Sequence, residues 1–531
     1  MKGNKKYDII KIEMRVNIMS ENKLTISNFF ANILSKISVI ILFGTGLYFY
    51  FVFRTFDMFP FMWGIYAFGG VIVLTLLAGI FCFIPKMPKA IKIISLIFNI
   101  AISAVFAYVG WYLPSIRSQI EKTFMEIPLT GEAEINYYVL KDEYKVEPTG
   151  QQISTNFDDY VNKTFIIQQS TDLENQEYAL LVSNRELDNQ EVDYLYAESI
   201  FDAVDLLYSG AGDVMVLNSS YIPMIEDITG YEDFSSRVEN IYTVYKKMQI
   251  SSSANSVDVT TKPFTIMIAG NDKWAEDVTT TGRTDVNILA TIHPETKQAV
   301  FVSVPRDAYV PNACLYDSND KLTHAGIYGI QCTEETLEKY LEVDINYYVV
   351  LNFNSMVKIV DALEGIDLYN PYTFTTSSTN SFQGTFEDGY IHLDGNQALA
   401  YVRERKSLDN GDIGRGEHQN LVIQAMIEKM TEPMMITKVD KLLSSMEGTF
   451  KTNITMDEIY ALAQMQLDDM AMWNIVSYTL DGDSGFETVA SLDANNTYSV
   501  IYLNDEQVQF VQNVMQQVKD GEYITQDNLP N

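Results

Sequence analysis

The sequence predicts an α/β protein: three N-terminal transmembrane helices, a small α/β domain, and a larger α/β domain whose central mixed sheet is flanked by helices. Three observations lead there. Three apolar stretches free of internal charge stand within the first 114 residues, strand-like and helix-like runs alternate after them, and one polar run divides that alternation in two.

The apolar stretches are Ile37–Phe53, Phe61–Ile84 and Ile93–Leu113, of 17, 24 and 21 residues. That is the length a helix needs to cross a bilayer. The first lies too deep in the chain, and is followed too closely by the others, to be a cleaved signal. Lys2, Lys5, Lys6, Lys11, Arg15, Lys23 and Lys36 precede it, and Lys86, Lys89 and Lys92 fill the second connection. The positive-inside bias therefore puts residues 1–36 in the cytoplasm and everything from Pro114 onward outside the cell membrane. Residues 114–135 then read as a stalk, 136–248 as the small domain, 249–262 as a linker, 263–520 as the large domain and 521–531 as a tail.

Charge splits along the same line. Residues 1–114 carry eleven Lys/Arg against four Asp/Glu, which leaves 26 basic against 66 acidic residues beyond them. An acidic surface of that kind repels nucleic acid, so DNA or RNA is excluded as a partner. The outer part holds two cysteines, Cys314 and Cys332, a plausible disulfide in an oxidising compartment, with a pair of buried thiols as the alternative.

In the small domain, residues 137–142 and Tyr178–Asn184 read as strands, YAESIFDAVDLLYSG as an amphipathic helix ending at Gly210, GDVMVLNSS as a strand and YIPMIEDITG as a short helix. In the large domain FTIMIAG, VNILATIHP, QAVFVSVP and INYYVVLNF read as strands. TEETLEKYLEV reads as a helix with Thr333 as its cap, and NSMVKIVDALEGI as a helix opened by Asn354. Later helices are expected over residues 415–430, 456–470 and 505–520.

The arginines carry the chemistry. From Ser115 onward there are eight, and five fall in three short segments beside strand ends or helix starts: Arg283, Arg306, Arg403, Arg405 and Arg415. Arginine offers a planar fork matched to phosphate oxygens. Arg403 and Arg405 are two apart and would share a face in extended chain. Arg415 and Gln419 are four apart and share a helix face whose N-terminus, near Gly414, could meet an anion. Asp272 and Asp285 are candidates for Mg²⁺, with Mn²⁺ as its substitute, because such a cation keeps waters and is completed by substrate phosphates. Asp307 and Asp412 are candidates to orient Arg306 or Arg415. There is no CxxC, HExxH or Walker A pattern, and His324 reads as a structural or rim residue.

IAGND, GRTDVNILATIHPETKQAVFVSVPRDAYV, KLTHAGIYG, NYYVVLNFNSMVKIVDALEGIDL and LDGNQALAYVRERKSLDNGDIGRGEHQNLVIQAM occur in that order between Phe264 and Met430. Together they resemble the LytR–CpsA–Psr (LCP) family of bacterial wall-polymer transferases, some of which carry an accessory domain ahead of the catalytic one. The resemblance implies a mixed sheet beside an apolar groove for a polyprenyl chain. It places diphosphate-binding and catalytic roles on Arg283, Arg306, Arg403, Arg405 and Arg415, a helix glutamine at Gln419, and metal-linked carboxylates at Asp272 and Asp285, the latter also catalytic. It implies a membrane-lipid setting, a glycopolymer such as teichoic acid or capsule carried on undecaprenyl diphosphate as donor, peptidoglycan as acceptor, and a phosphodiester as product. The alternative is a membrane-anchored, non-catalytic binder or sensor of the same lipid-linked glycans. Two departures stand out: Glu364 replaces the first of the family's paired glycines, and Tyr309, Val310 and Pro311 follow the Pro–Arg–Asp motif where some members add an arginine.

Overall fold

The computed structural model describes residues 29–529 except 30, 57–58, 86, 126–129, 149, 170–171, 188–191, 250–254, 272–277, 279, 379, 381, 410, 433–444, 447 and 493–495. It divides into two compact units, residues 1–121 with 459–470, and residues 122–458 with 471–531.

The first unit holds three helices long and apolar enough to cross a membrane: α1 (Ala31–Arg54), α2 (Phe61–Phe83) and α3 (Lys89–Met125). Small and polar residues let them approach. Gly46 lies against Val71 and Phe106, Asn99 Nδ2 donates to Ser38 Oγ at 3.0 Å, and Lys92 Nζ donates to Asn32 Oδ1 at 2.7 Å. The segment expected as a stalk is different. Helix α3 runs through Pro114 to Met125, because Ile116, Ile120 and Phe124 continue a helical spacing and a proline removes one backbone bond without ending the helix.

In the second unit the small domain begins earlier than expected, at strand β1 (Thr130–Leu140). Its sheet also contains β2 (Thr164–Gln168), β3 (Asp193–Ala197), β4 (Val214–Asn218) and β5 (Val238–Gln249), in the order β3-β2-β4-β1-β5. Residues 178–184, expected as a strand, lie in helix α4 (Leu173–Glu186), where Gln176, Ala179 and Ser183 are buried at helical spacing. The run expected as one helix from Tyr196 divides: its start closes β3, and α5 (Ile200–Tyr208) opens on the Ser199 cap. A short helix, α6 (Ile222–Glu226), follows β4.

The large domain is built on β6 (Phe264–Asn271), β7 (Thr284–His293) and β8 (Gln298–Ser303), three successive antiparallel strands. Strand β9 (Tyr347–Asn352) adds in parallel to β6, and β10 (Phe450–Thr452) closes that edge antiparallel to β9. Strand β11 (Asn474–Thr479) lies parallel to β8 at the other edge, so the sheet is mixed. One face packs on helix α7 (Ile330–Leu341) and the C-terminal helix Asp505–Lys519 through residues such as Met267, Leu289, Leu337 and Val511. The other packs Ile288, Ala290 and Phe301 on Ile423 and Ile427. The expected tail contributes to the first of these cores, since Ile524 and Leu529 are buried there.

Two expected caps move. Helix α7 opens after Gly329, so Thr333 is fully buried inside it, and α8 (Phe353–Ala362) is capped by Asn352 in a capping box with Ser355, not by Asn354. Cys314 and Cys332 form a disulfide with a Cα–Cα distance of 5.9 Å, tying the turn that follows the short strand Tyr309–Asn312 to α7. The two domains share one apolar core. Met215, Tyr221, Met224, Ile225 and Phe234 of the small domain pack with Ile327, Leu492, Tyr498 and Val500 of the large one.

Candidate active site

Strand directions bring the arginine segments to one edge of the large sheet. The end of β6, the start of β7 and the end of β8 meet there because these strands are antiparallel neighbours, and β9 and β11 end on the same side because they run parallel to β6 and β8. Arg283 precedes β7, and Arg306 follows β8. Helix α9 (Gly395–Arg403) ends on Arg403, Arg405 sits in the turn after it, and helix α10 (Asp412–Thr431) carries Arg415 and Gln419 on its first turns. All six side chains, with Asp285, line one cavity of about 500 Å³.

Arg306 is the centre of the charge network. Its Nη1 donates to Asp285 Oδ1 at 2.6 Å, and its Nε lies 3.7 Å from Asp307 Oδ1. Thr323 Oγ1 adds a 3.3 Å bond to Asp285 Oδ1. Burial pushes the Asp285 carboxyl up, but the guanidinium groups of Arg306, Arg283 and Arg415 outweigh it and hold the group below the usual carboxylate range. Asp307 is 4 % exposed. Burial raises it too, yet Arg306, Lys321 and Arg405 bring it down to about 2. Asp307 therefore steadies Arg306 and Arg405, with Lys321 Nζ at 3.2 Å. The side chain of Asp412 lies outside the described residues, as does the whole of Asp272.

The Arg403–Arg405 segment reaches the cavity by another route than the extended chain expected. Arg403 is the last residue of a helix and stacks over the Phe353 ring at 4.4 Å from its centroid. Glu404, buried between the two arginines, uses both oxygens on the turn itself. Oε1 accepts from the backbone N–H groups of Arg405 and Ser407, both at 3.1 Å, and Oε2 from Ser377 N at 2.8 Å and Asn380 Nδ2 at 3.1 Å. Burial opposes its charge, but these donors hold its carboxyl at about 2. Glu404 thus shapes the loop that presents Arg405.

Helix α10 starts at Asp412, just ahead of the start expected near Gly414, after Gly411 at φ +55°. Gly416 serves packing more than ligand approach: an added Cβ there would meet Thr479 Cγ2 at 2.9 Å and Ser303 Oγ at 3.0 Å, so α10 rests directly on the ends of β8 and β11. His324 is buried away from the cavity, with Nδ1 at 2.7 Å from Asp320 Oδ1 and 2.8 Å from Ser491 Oγ. Sequence reasoning took Glu404 for a local partner of the arginines and missed Ser377 and Asn380, and also Asp227 and Pro223, which reach the cavity from the small domain.

Among the described residues, no group of three or more His, Cys, Asp or Glu side chains is gathered to hold a metal. An ionised, mostly buried Asp285 nevertheless suits a hard divalent cation that takes one or two carboxylates and completes its shell with phosphates and water.

The model of the LytR_cpsA_psr family matches residues 229–517, more than half of the chain. The chain belongs to the LytR–CpsA–Psr family. Proteins named polyisoprenyl-teichoic acid–peptidoglycan teichoic acid transferase TagU are similar to it. The one from Bacillus mycoides (strain KBAB4) is 32 % identical over 238 residues, covering 44 % of this chain and 75 % of that protein. The one from Enterococcus faecalis (strain ATCC 700802 / V583) is 32 % identical over 235 residues, covering 44 % and 74 %. The crystal structure of B. subtilis TagV is 28 % identical with a TM-score of 0.41, over 50 % of this chain and 99 % of that one. LCP membership places the chain in a family of transferases, and the match extends past the motif-bearing residues 264–430 in both directions.

Proposed function

We propose that this LCP protein transfers a glycopolymer from a polyprenyl diphosphate carrier to peptidoglycan. The observation that carries the reading is the meeting of Arg283, Arg306, Arg403, Arg405 and Arg415 around one cavity in an otherwise acidic domain. Teichoic acid is the polymer named for its relatives and is the class proposed here. Three helices long and apolar enough to cross a membrane support an anchored chain, and the lysine-rich N-terminal segment and second connection support a cavity on the outer side, where a lipid-linked donor and the wall meet.

The arginines bind the two phosphates and neutralise them. The acceptor hydroxyl attacks the phosphorus that bears the polymer's sugar, the bridging P–O bond breaks, polyprenyl phosphate leaves with the electron pair, and the hydroxyl proton passes to a base or water. The product is a phosphodiester. Charge developing on the transferring phosphoryl group is stabilised by guanidinium groups already fixed in place by Asp285, Asp307 and Glu404. Asp285, together with Asp272, would hold Mg²⁺, which when bound supplies further positive charge against the diphosphate. Arg306 lowers the basicity of Asp285, which favours a charge-organising role for it over proton abstraction.

The test uses the full-length protein in lipid nanodiscs with a lipid-diphosphate-linked glycan, peptidoglycan and Mg²⁺. Covalent glycan on peptidoglycan is expected, and Asp285→Asn should lower its rate on the order of 10²-fold. Tight donor binding without product, across metals and acceptors, would instead make the protein a binder or sensor.

A further inference from the structure

The small domain reaches into the cavity. Asp227 Oδ2 accepts from Nη1 of Arg283, and Pro223 stands beside it in the cavity wall. The partners differ in setting: the Arg283 side chain is 10 % exposed and that of Asp227 58 %. An exposed ion pair contributes little by itself, but a carboxylate held rigidly beside a buried guanidinium selects one orientation of it.

Asp227 is held in that way. It follows α6 directly, and its backbone N–H donates to Pro223 O at 3.1 Å. Met224 and Ile225 of α6 are buried in the core shared by the two domains. Tyr221 and Tyr328 hydroxyls meet at 3.0 Å across the same boundary, and Thr281 Oγ1, two residues before Arg283, donates to Glu132 O of β1 at 3.2 Å. The boundary is pinned on both sides of the ion pair. Arg306 and Arg405 face Asp285 and Asp307 of their own domain; Arg283, which also acts on Asp285, adds a counter-charge from across the boundary.

We propose that Asp227 is a positioning residue for the donor site: through it the small domain fixes the orientation of the Arg283 guanidinium in the cavity wall. The small domain is then a wall of the active site. The proposal rests on the reading of the cavity as a diphosphate site.

The experiment compares Asp227→Asn, Asp227→Glu, Arg283→Ala and the Asp227→Asn/Arg283→Ala double variant, all full length in nanodiscs, by two readouts. In the transfer assay Asp227→Asn is expected to lower kcat about tenfold with a smaller change in donor KM, Asp227→Glu to restore most of it, and Asp227→Asn to do nothing further once Arg283 is gone. In phenylglyoxal labelling read by peptide mass spectrometry, Asp227→Asn should speed modification of Arg283 several-fold and leave Arg185 unchanged. Unchanged Arg283 labelling, or a turnover loss that adds in full to that of Arg283→Ala, overturns the proposal. A wild-type protein without transfer activity would sink the donor reading, while the labelling would still decide whether Asp227 holds Arg283.

Discussion

The two domains of the second unit are both α/β sheets in an acidic chain, yet they treat arginine differently. In the small domain Arg185 pairs with Glu186 at 3.1 Å and Arg237 with Asp233 at 2.7 Å, partners one and four residues away in sequence. In the large domain Arg306 meets Asp285 from 21 residues away, and Arg405 approaches Asp307 from a different helix–turn segment. A locally answered arginine dresses a surface. An arginine whose partner is brought by the fold belongs to a built site, and Arg283, Arg306 and Arg405, which are of the second kind, line the cavity.

The largest expected break in this contrast is in turnover. Arg306→Ala should reduce polymer transfer by roughly 10²-fold, about 3 kcal/mol of transition-state stabilisation, since it removes a donor from the phosphate grip. Arg185→Ala, whose side chain is 75 % exposed, should leave transfer unchanged. Initial rates of covalent glycan attachment check both.

A second contrast is in pH dependence of stability. In the large domain the folded-state pKa of Asp307 is depressed to about 2 from 3.8, so its contribution is present above pH 3.8 and is lost as pH falls toward 2. In the small domain Asp172 is buried, and burial, the dominant cause, raises it from 3.8 to about 7. That group binds more protons when folded, so its effect runs the other way: stability declines as pH rises from about 4 through about 7. Asp172→Asn should therefore stabilise the protein at pH 8 by about 2 kcal/mol or more relative to its effect at pH 4. Asp307→Asn should destabilise it at pH 7 by about 2 kcal/mol, with the difference shrinking below pH 3. Denaturant titrations across pH 2–8 read both slopes.

The smallest expected effect concerns backbone strain. Glu364 stands at φ +63° beside Gly365 at +88°, a left-handed pair that closes α8. Glu364→Gly should raise stability by about 1 kcal/mol with no change in turnover, measured by thermal melting alongside the transfer assay.

These particulars also show what was legible in the sequence. The arginines could be found because each sits in a short motif beside a strand end or helix start, and the topology needed to gather them is the ordinary consequence of antiparallel neighbours. The three apolar helices were legible for the same reason: length and absence of charge are local properties. Residues 178–184 were not, because a short apolar run satisfies both a buried strand and a buried helix until Gln176 and Ser183 are seen to face inward. The extended geometry expected of Arg403 and Arg405 failed because the apolar residues Ala398–Val402 extend helix α9 up to Arg403. Glu404 reads as a neighbouring acid that could pair with arginine, and its bonds to Ser377 and Asn380 come from a hairpin more than twenty residues away. Asp227 carries no local signal at all. Its place at the cavity follows from a core shared by two domains, which no spacing along the chain reveals.

The central claim is that arginines from separate elements act as one grip on a diphosphate. Equilibrium binding of a polyprenyl diphosphate to the full-length protein in nanodiscs tests it most directly. Arg306→Ala, Arg403→Ala and Arg415→Ala should each weaken binding at least tenfold, while Arg185→Ala binds as the wild type does. Affinities equal to the wild type in all three cavity variants would contradict the account.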